Sequence, residues 1–470
     1  MRSLIWFRND LRVADNPALL DAAQSGRAHA CFIVCREQWL AHDVGEPRLA
    51  FLYRCLVALA EDLAALGVPF HLLECADFSA VPAVLEQLVR AHGISNIHFN
   101  AEYPWNERQR DLAVDALAYE LGVEVVQHHG SVVLPPGSVL TQNESPFKVF
   151  TPFRRRWETI VSASSRQPLG SPSVQGEQLQ PTPITGFEDI DPQLFATDYP
   201  GGERDAMRRL ERFVGGAVER YADDRDFPAL PGTSQLSAYL SVGAISPRQC
   251  LHAAQLARAG NPQQAGIDTW VSELVWREFY RHVTFLFPHV SRGQPFQVHT
   301  RNVMWQDNTD HLVAWQEGQT GYPLVDAAMR QLNTTGYMHN RLRMVAAMFL
   351  TKHLLLHWSY GERYFMQKLV DGDFAANNGG WQWSASTGTD AAPYFRVFNP
   401  ASQGERFDRK GVFTRHWVPE LEGVPNKFLY NPHAWPQDDL LSEPLSYPAP
   451  IVEHKFARQR AIDAFKQASR

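Results

Sequence analysis

"SLIWFRNDLRVADNPALLDAAQSGRAHACFIVC", residues 3–35, holds two apolar runs on either side of one helical segment. "SLIWF" is short and continuously apolar, which reads as a strand buried on both faces. In "ADNPALLDAA", Asp15 or Asn16 can cap a helix that has Pro17 at its first position. "ACFIVC" is a second buried strand. A strand, a helix and another strand in so few residues make the repeating unit of a parallel sheet. The turn "FRNDLR" is no G-x-G-x-x-G, so it gives no reason to expect a nucleotide in the usual place.

The alternation continues outward from this unit. "PRLAFLYRCLVALAEDLAALG" has helical spacing and stops at Gly67. Strand "PFHLLE", helix "VPAVLEQLVRAHG", strand "NIHF", helix "NERQRDLAVDALAYELG" and strand "VEVVQ" follow. Residues 1–130 are therefore expected to form a Rossmann-like α/β domain, with a parallel five-stranded sheet that binds ligands at its carboxyl ends. Residues 131–202 read as an interdomain linker. Its part "SASSRQPLGSPSVQGEQLQPTPITG" is rich in Ser, Pro, Gln and Gly and lacks periodicity. From Glu203 the spacing is helical, as in "ERDAMRRLERFVGGAVERYADDRDFP" and "HNRLRMVAAMFLTKHLLLHW". Residues 203–470 are expected to be all-α with irregular loops, one of them "NNGGWQWSASTGTDAAPYFRVFNP" at 377–400.

A chain of 470 residues is too long for one ordinary core. Its 13 Trp and 27 Phe suggest planar binding surfaces or large aromatic cores. "MRSLIWFRNDLR" has no signal-type apolar run and no stretch is long enough to span a membrane, so a cytoplasmic protein is expected. Cys31, Cys35, Cys55, Cys75 and Cys250 show no paired C-x-x-C spacing and read as reduced, buried thiols, and no metal site is expected. The net charge of -7 sits wholly in residues 1–130, which carry 10 basic and 17 acidic side chains; the rest holds 34 of each. A balanced helical region can gather arginines on one face, so the acidic total does not exclude a nucleic-acid partner.

Four segments carry candidate chemistry. "GTSQLSAYLSVGAISPRQC" (232–250) offers Thr233, Ser234 and Ser237 to a phosphate at a helix start, or to simple N-capping. "WVSELVWREFYRH" (270–282) sets Glu273 between Trp270 and Trp276, with Arg277 next. That carboxylate is either partly desolvated and in need of a partner, or a surface group beside core aromatics. "GYMHNRLRMVAAMFL" (336–350) puts Asn340, Arg343 and Met344 at the start of a helix, whether a site or an ordinary amphipathic surface. In "VDGDFAANNGGWQW" (370–383), Asp371 and Asp373 have apolar flanks and no His, which suits acceptors for hydroxyl or N–H groups better than metal ligands.

"DGDFAANNGGWQW", "WREFYRH", "GTSQLSAYLS", "GYPLVDAAMRQL" and "MHNRLRM" together resemble, in order and spacing, the photolyase/cryptochrome family of flavoproteins. The resemblance runs from "WFRNDLRVADN" to "PIVEHKFARQRA" and is closest to the bacterial class I cyclobutane pyrimidine dimer photolyases. It implies a U-shaped, reduced, non-covalent FAD in an all-α FAD-binding catalytic domain. Tyr221, Thr233, Ser234, Gln235, Leu236 and Ser237 would contact phosphates and ribose. Trp270, Arg277, Asn340, Arg343, Asp371, Gly372 and Asp373 would lie along the cofactor, with Asn377 facing flavin N5. Trp381, Trp358 and Trp305 would relay electrons between flavin and surface. Glu273 would hydrogen-bond the dimer; Trp276, Trp383, Asn340 and Met344 would hold it; Arg225, Arg341 and Arg396 would grip phosphates.

The resemblance also implies the reaction. Excited FADH⁻ gives an electron to a flipped-out dimer in single- or double-stranded DNA, the ring splits, and the electron returns, making the enzyme a lyase. It implies a monomer with no protein partner. His42, Asn106 and Glu107 match the pattern for a 5,10-methenyltetrahydrofolate antenna, although Asn106 could instead cap a helix and Glu107 complement its dipole. Where relatives bring a lysine to the folate, this chain has Arg292. The alternatives are a cryptochrome photoreceptor and a (6-4) photolyase. Against them stand the short stretch after the last motif and Met344, where (6-4) enzymes carry histidine.

Overall fold

The computed structural model describes residues 1–163, 167–259, 264–436 and 445–468, so residues 164–166 of the expected linker lie outside the described residues. Five strands, β1 (Arg2–Phe7), β2 (Arg27–Cys35), β3 (Phe70–Cys75), β4 (Asn96–Asn100) and β5 (Glu124–His128), form one parallel sheet in the order β3-β2-β1-β4-β5. Helices α1 (Pro17–Ser25), α2 (Glu46–Ala65), α3 (Val81–His92) and α4 (Trp105–Leu121) connect them. Asn16 caps α1, its Oδ1 accepting from the Leu19 amide at 3.2 Å. The core joins Leu4 and Trp6 of β1 to Cys31 and Ile33 of β2, Ile97 and Phe99 of β4, and Leu85 and Val89 of α3. One expectation changes here. Helix α4 starts at Trp105 with Pro104 in the cap position, so Asn106 lies inside the helix and is not its cap.

The chain folds into two compact units: residues 1–222, 234–291 and 370–375, and residues 223–233, 292–369 and 376–470. The first holds the sheet, the helix Phe150–Ser162 within the predicted linker, and α5 (Ala265–Leu286). Buried Glu278 of α5 accepts from the Val133 and Leu134 amides and the Trp157 indole, which ties α5 to residues ahead of the helical region. The second unit packs α6 (Pro323–Thr335), α7 (Asn340–Met348) and α8 (Trp358–Lys368) around Trp315, Met329, Leu342, Phe349 and Phe365.

The stretch 377–400 departs from the irregular loop expected of it, because residues up to Ala385 belong to helix α9 (Phe374–Ala385). Its asparagines bond outward rather than to their own backbone: Asn377 and Asn378 donate to the carbonyl and carboxylate of Glu362 in α8. Five free cysteines are present, four buried and Cys75 half-buried. No helix among the described residues is long and apolar enough to cross a membrane.

Candidate functional site

Helix α5 lines up four of the sequence-predicted residues in the first unit. Trp270 is buried, its ring 5.0 Å from that of Phe213, and Tyr221 meets Phe213 from another side at 5.6 Å. Trp276 stacks on Phe150 with centroids 3.7 Å apart and planes at 9°. Half-buried Glu273 stands between the two tryptophans along the helix. Arg277 donates to two backbone carbonyls, Ser131 at 2.7 Å and Leu240 at 3.0 Å. Burial, with Arg281 nearby, pushes its pKa down to about 9. The Asp373 and Glu278 carboxylates offset only part of that effect. Arg281 pairs with Asp373 at 2.7 Å, while Asp371 and Gly372 are buried.

The hydroxyl-rich segment is the second feature of this unit. Helix Ser237–Val242 has Leu236 in the cap position and no side-chain cap, so simple N-capping does not account for Ser234 and Ser237. Gln235 holds a left-handed φ of 51°, and its side chain accepts from Arg209 at 3.3 Å.

The second unit carries the tryptophans. Trp381 is 2% exposed, edge-on to Phe365 at 4.9 Å and to Trp315 at 5.9 Å, and its indole N–H has no hydrogen-bond partner. Trp358 opens α8 and is buried, whereas Trp305 is only half-buried. The ring of His357 lies 5.3 Å from Trp358 and 5.4 Å from Trp305. Exposure thus rises from Trp381 and Trp358 to Trp305, the gradient a path to the surface requires. Trp383 is half-buried, as are Met344 and Arg343, and Asn340 is exposed. His339 caps α7, and Arg343 donates to the Met338 carbonyl at 2.8 Å. Arg341 pairs with Asp226 at 2.6 Å, and Arg225 reaches the same carboxylate at 3.9 Å. Asp226 therefore offsets part of the positive charge expected to meet phosphates. Arg396 is exposed. Thr233 is half-buried in this unit.

His42, Asn106 and Glu107 come together in the first unit. His42 Nε2 lies 2.8 Å from the Asn106 amide nitrogen, and Nδ1 lies 3.6 Å from Glu107. Burial, with Glu102 adding repulsion, raises the Glu107 pKa to about 7. Its Oε2 is buried and has no hydrogen-bond partner. A carboxyl group in this condition fits a ligand that presents N–H donors.

Sequence reasoning missed the polar network at the switch point between β1 and β4. Arg8 pairs with Asp111 at 2.9 Å, and Arg110 with Glu102 at 2.8 Å. Arg48 donates to Ser241 at 2.7 Å and Asn9 at 2.9 Å. A signal was present: "FRNDLR" packs polar residues at the end of a buried strand, where a doubly wound sheet opens its crevice. His357 gave none, since nothing in "LLLHW" sets it apart.

Comparison with known proteins matches the FAD binding domain of DNA photolyase over residues 270–467 and DNA photolyase over residues 3–173. The deoxyribodipyrimidine photo-lyase of Salmonella typhimurium is 46% identical over 99% of this chain and 98% of its own length. That of Escherichia coli is 44% identical with the same coverage. The crystal structure of a bacterial class III photolyase from Agrobacterium tumefaciens superposes with a TM-score of 0.89 at 34% identity, covering 100% of this chain and 98% of that one. With a parallel sheet at the N-terminus, a helical C-terminal region and relatives this similar along their whole length, the chain belongs to the DNA photolyase family.

Proposed function

We propose that this chain uses light to split cyclobutane pyrimidine dimers in damaged DNA, as a carbon–carbon lyase with non-covalent FAD. The observation that carries the reading is α5, where Glu273 lies between Trp270 and Trp276 and is followed by half-buried Arg277, held by the Ser131 and Leu240 carbonyls. A diphosphate would add a charge-assisted partner to a guanidinium that bonds only to backbone carbonyls, so the residues present fit the cofactor. Reduced FAD, when bound, supplies on excitation the electron that opens the cyclobutane ring.

The chain's own residues bind and orient. Arg277, Tyr221, Thr233, Ser234, Gln235, Leu236 and Ser237 are proposed to hold phosphates and ribose. Trp270, Asn340, Arg343, Asp371, Gly372 and Asp373 flank the rest, and the neutral amide of Asn377 faces the flavin ring. Glu273 is proposed to hydrogen-bond the dimer, and Trp276, Trp383, Asn340 and Met344 to hold it. Arg225, Arg341 and Arg396 meet phosphates of single- or double-stranded DNA. Trp381, Trp358 and Trp305 carry electrons inward from the surface.

The proposed organisation is an antenna domain over 1–130, a linker over 131–202 and a catalytic domain over 203–470, in a cytoplasmic monomer. For the antenna, the bare oxygen of Glu107 supports methenyltetrahydrofolate held with His42 and Asn106. The test is repair of a dimer-containing oligonucleotide in light and darkness, with extraction and mass analysis of the chromophores. Light-dependent restoration with FAD in the extract supports the proposal. A protein without flavin, or with no activity on the dimer in light, refutes it.

A further inference from the structure

Three polar side chains of the first unit crowd together on the α1 face of the sheet, away from every residue assigned above. In parallel pairing His98 of β4 lies opposite Val126 of β5, and His128 lies two residues further along the same strand. Both imidazoles therefore share one sheet face. Asp21 reaches them from α1, which packs on β4 and β5. His98 Nδ1 is 3.3 Å from His128 Nε2 and 3.5 Å from Asp21 Oδ2, and His128 Nε2 is 3.4 Å from that same oxygen. The three atoms form a nearly equilateral triangle.

We propose that Asp21, His98 and His128 form a three-ligand site for a divalent transition-metal ion, with Zn²⁺ the best fit. An ion held tetrahedrally by three atoms at those spacings sits just above their plane, about 2.1 Å from each, within the bond lengths of Zn²⁺ to imidazole nitrogen and carboxylate oxygen. At such bond lengths, tetrahedral coordination separates neighbouring ligand atoms by about 3.3 Å and octahedral coordination by about 2.9 Å. The observed edges match the tetrahedral case.

The chemistry of the set agrees. Two imidazoles and one carboxylate are borderline-soft N and O donors, which suit Zn²⁺ better than the hard ions that take oxygen alone. His98 is 1% exposed, and its Nδ1 faces both other members of the triangle. The Asp21 side chain is 44% exposed, which leaves a fourth position open to water. An ion here would pin β4, β5 and α1 together. A second histidine group, His29, His71 and His92, holds no carboxylate to bring negative charge to a cation.

The test uses the full chain with its flavin, stripped with a chelator and dialysed against micromolar Zn²⁺ at pH 7.5 before metal and protein are counted. The parent should bind one equivalent that Asp21→Asn loses, with affinity at least about tenfold weaker. Asp21 is half exposed and Asn is isosteric, so the variant should fold and keep its FAD; His128→Asn provides a second variant. His71→Asn should bind as the parent does. Zn²⁺ should also raise the melting temperature of the parent by several degrees and leave that of Asp21→Asn unmoved. Equal Zn²⁺ in parent and Asp21→Asn would overturn the proposal, as would no binding by the parent at 100-fold higher Zn²⁺.

Discussion

Glu273 is the residue on which the proposed repair chemistry turns, and its neighbours set how it can act. Half-buried between Trp270 and Trp276, it can offer a charged hydrogen bond, worth about 1.5–3 kcal/mol, to a base seated against it. Glu273→Ala should keep its FAD and lose at most about tenfold to a hundredfold in affinity for dimer-containing DNA, while repair per absorbed photon falls clearly. Unchanged quantum yield would show that the carboxylate is idle. Trp305, the half-buried member of its group, calls for a different readout. Trp305→Phe keeps an aromatic ring but is much harder to oxidise, so photoreduction of oxidised flavin by external donors should stop while pre-reduced enzyme still repairs. Photoreduction at the parent rate would point to another route. Glu273 and its two tryptophans stand out in "WVSELVWREFYRH", while Trp305 is marked only by the family resemblance; the surroundings of none of them could be read. Arg277 bonds to carbonyls 146 and 37 residues away, and no local pattern encodes such partners.

At the scale of elements, the sheet was legible because buried parallel strands are continuous apolar runs set off by helical spacing, as "SLIWF" and "ACFIVC" show. Two helix boundaries were not. Pro104 at the cap position overrides the capping chemistry of Asn106. Helix α9, built of small and polar residues, owes its form to tertiary contact, with two asparagines bonding to Glu362 and the indole of Trp381 lying against Gly361. That last contact gives a test of how α8 and α9 pack. A Cβ on Gly361 would sit 2.0 Å from the Trp381 ring. Gly361→Ala should therefore cost about 1–3 kcal/mol or more in spite of alanine's better helix propensity, measured by urea unfolding, and should slow photoreduction as Trp381 shifts. Unchanged or increased stability would mean that the two helices can separate without cost.

Across the whole molecule, buried histidines govern the response to acid. Burial lowers the pKa of His282 in the first unit and of His339 in the second to about 4, from an unfolded value near 6.5. Between those values the unfolded chain binds more protons, so stability is intact above about pH 6.5 and declines as pH falls toward 4. Each histidine should remove about 2 kcal/mol between pH 6.5 and pH 5. Urea midpoints at pH 7.5, 6 and 5 will measure the decline, and a flat profile would contradict it. The discontinuous make-up of the two units has a consequence of another kind, in time. Residues 370–375 belong to the first unit, so the segment that completes it comes late in the chain. At about 10 residues per second, a ribosome needs roughly 40 s to deliver that segment. Until then Arg281 has no Asp373 to pair with, and a message cut short before that codon would release a sheet that is whole and a first unit that is missing this ion pair.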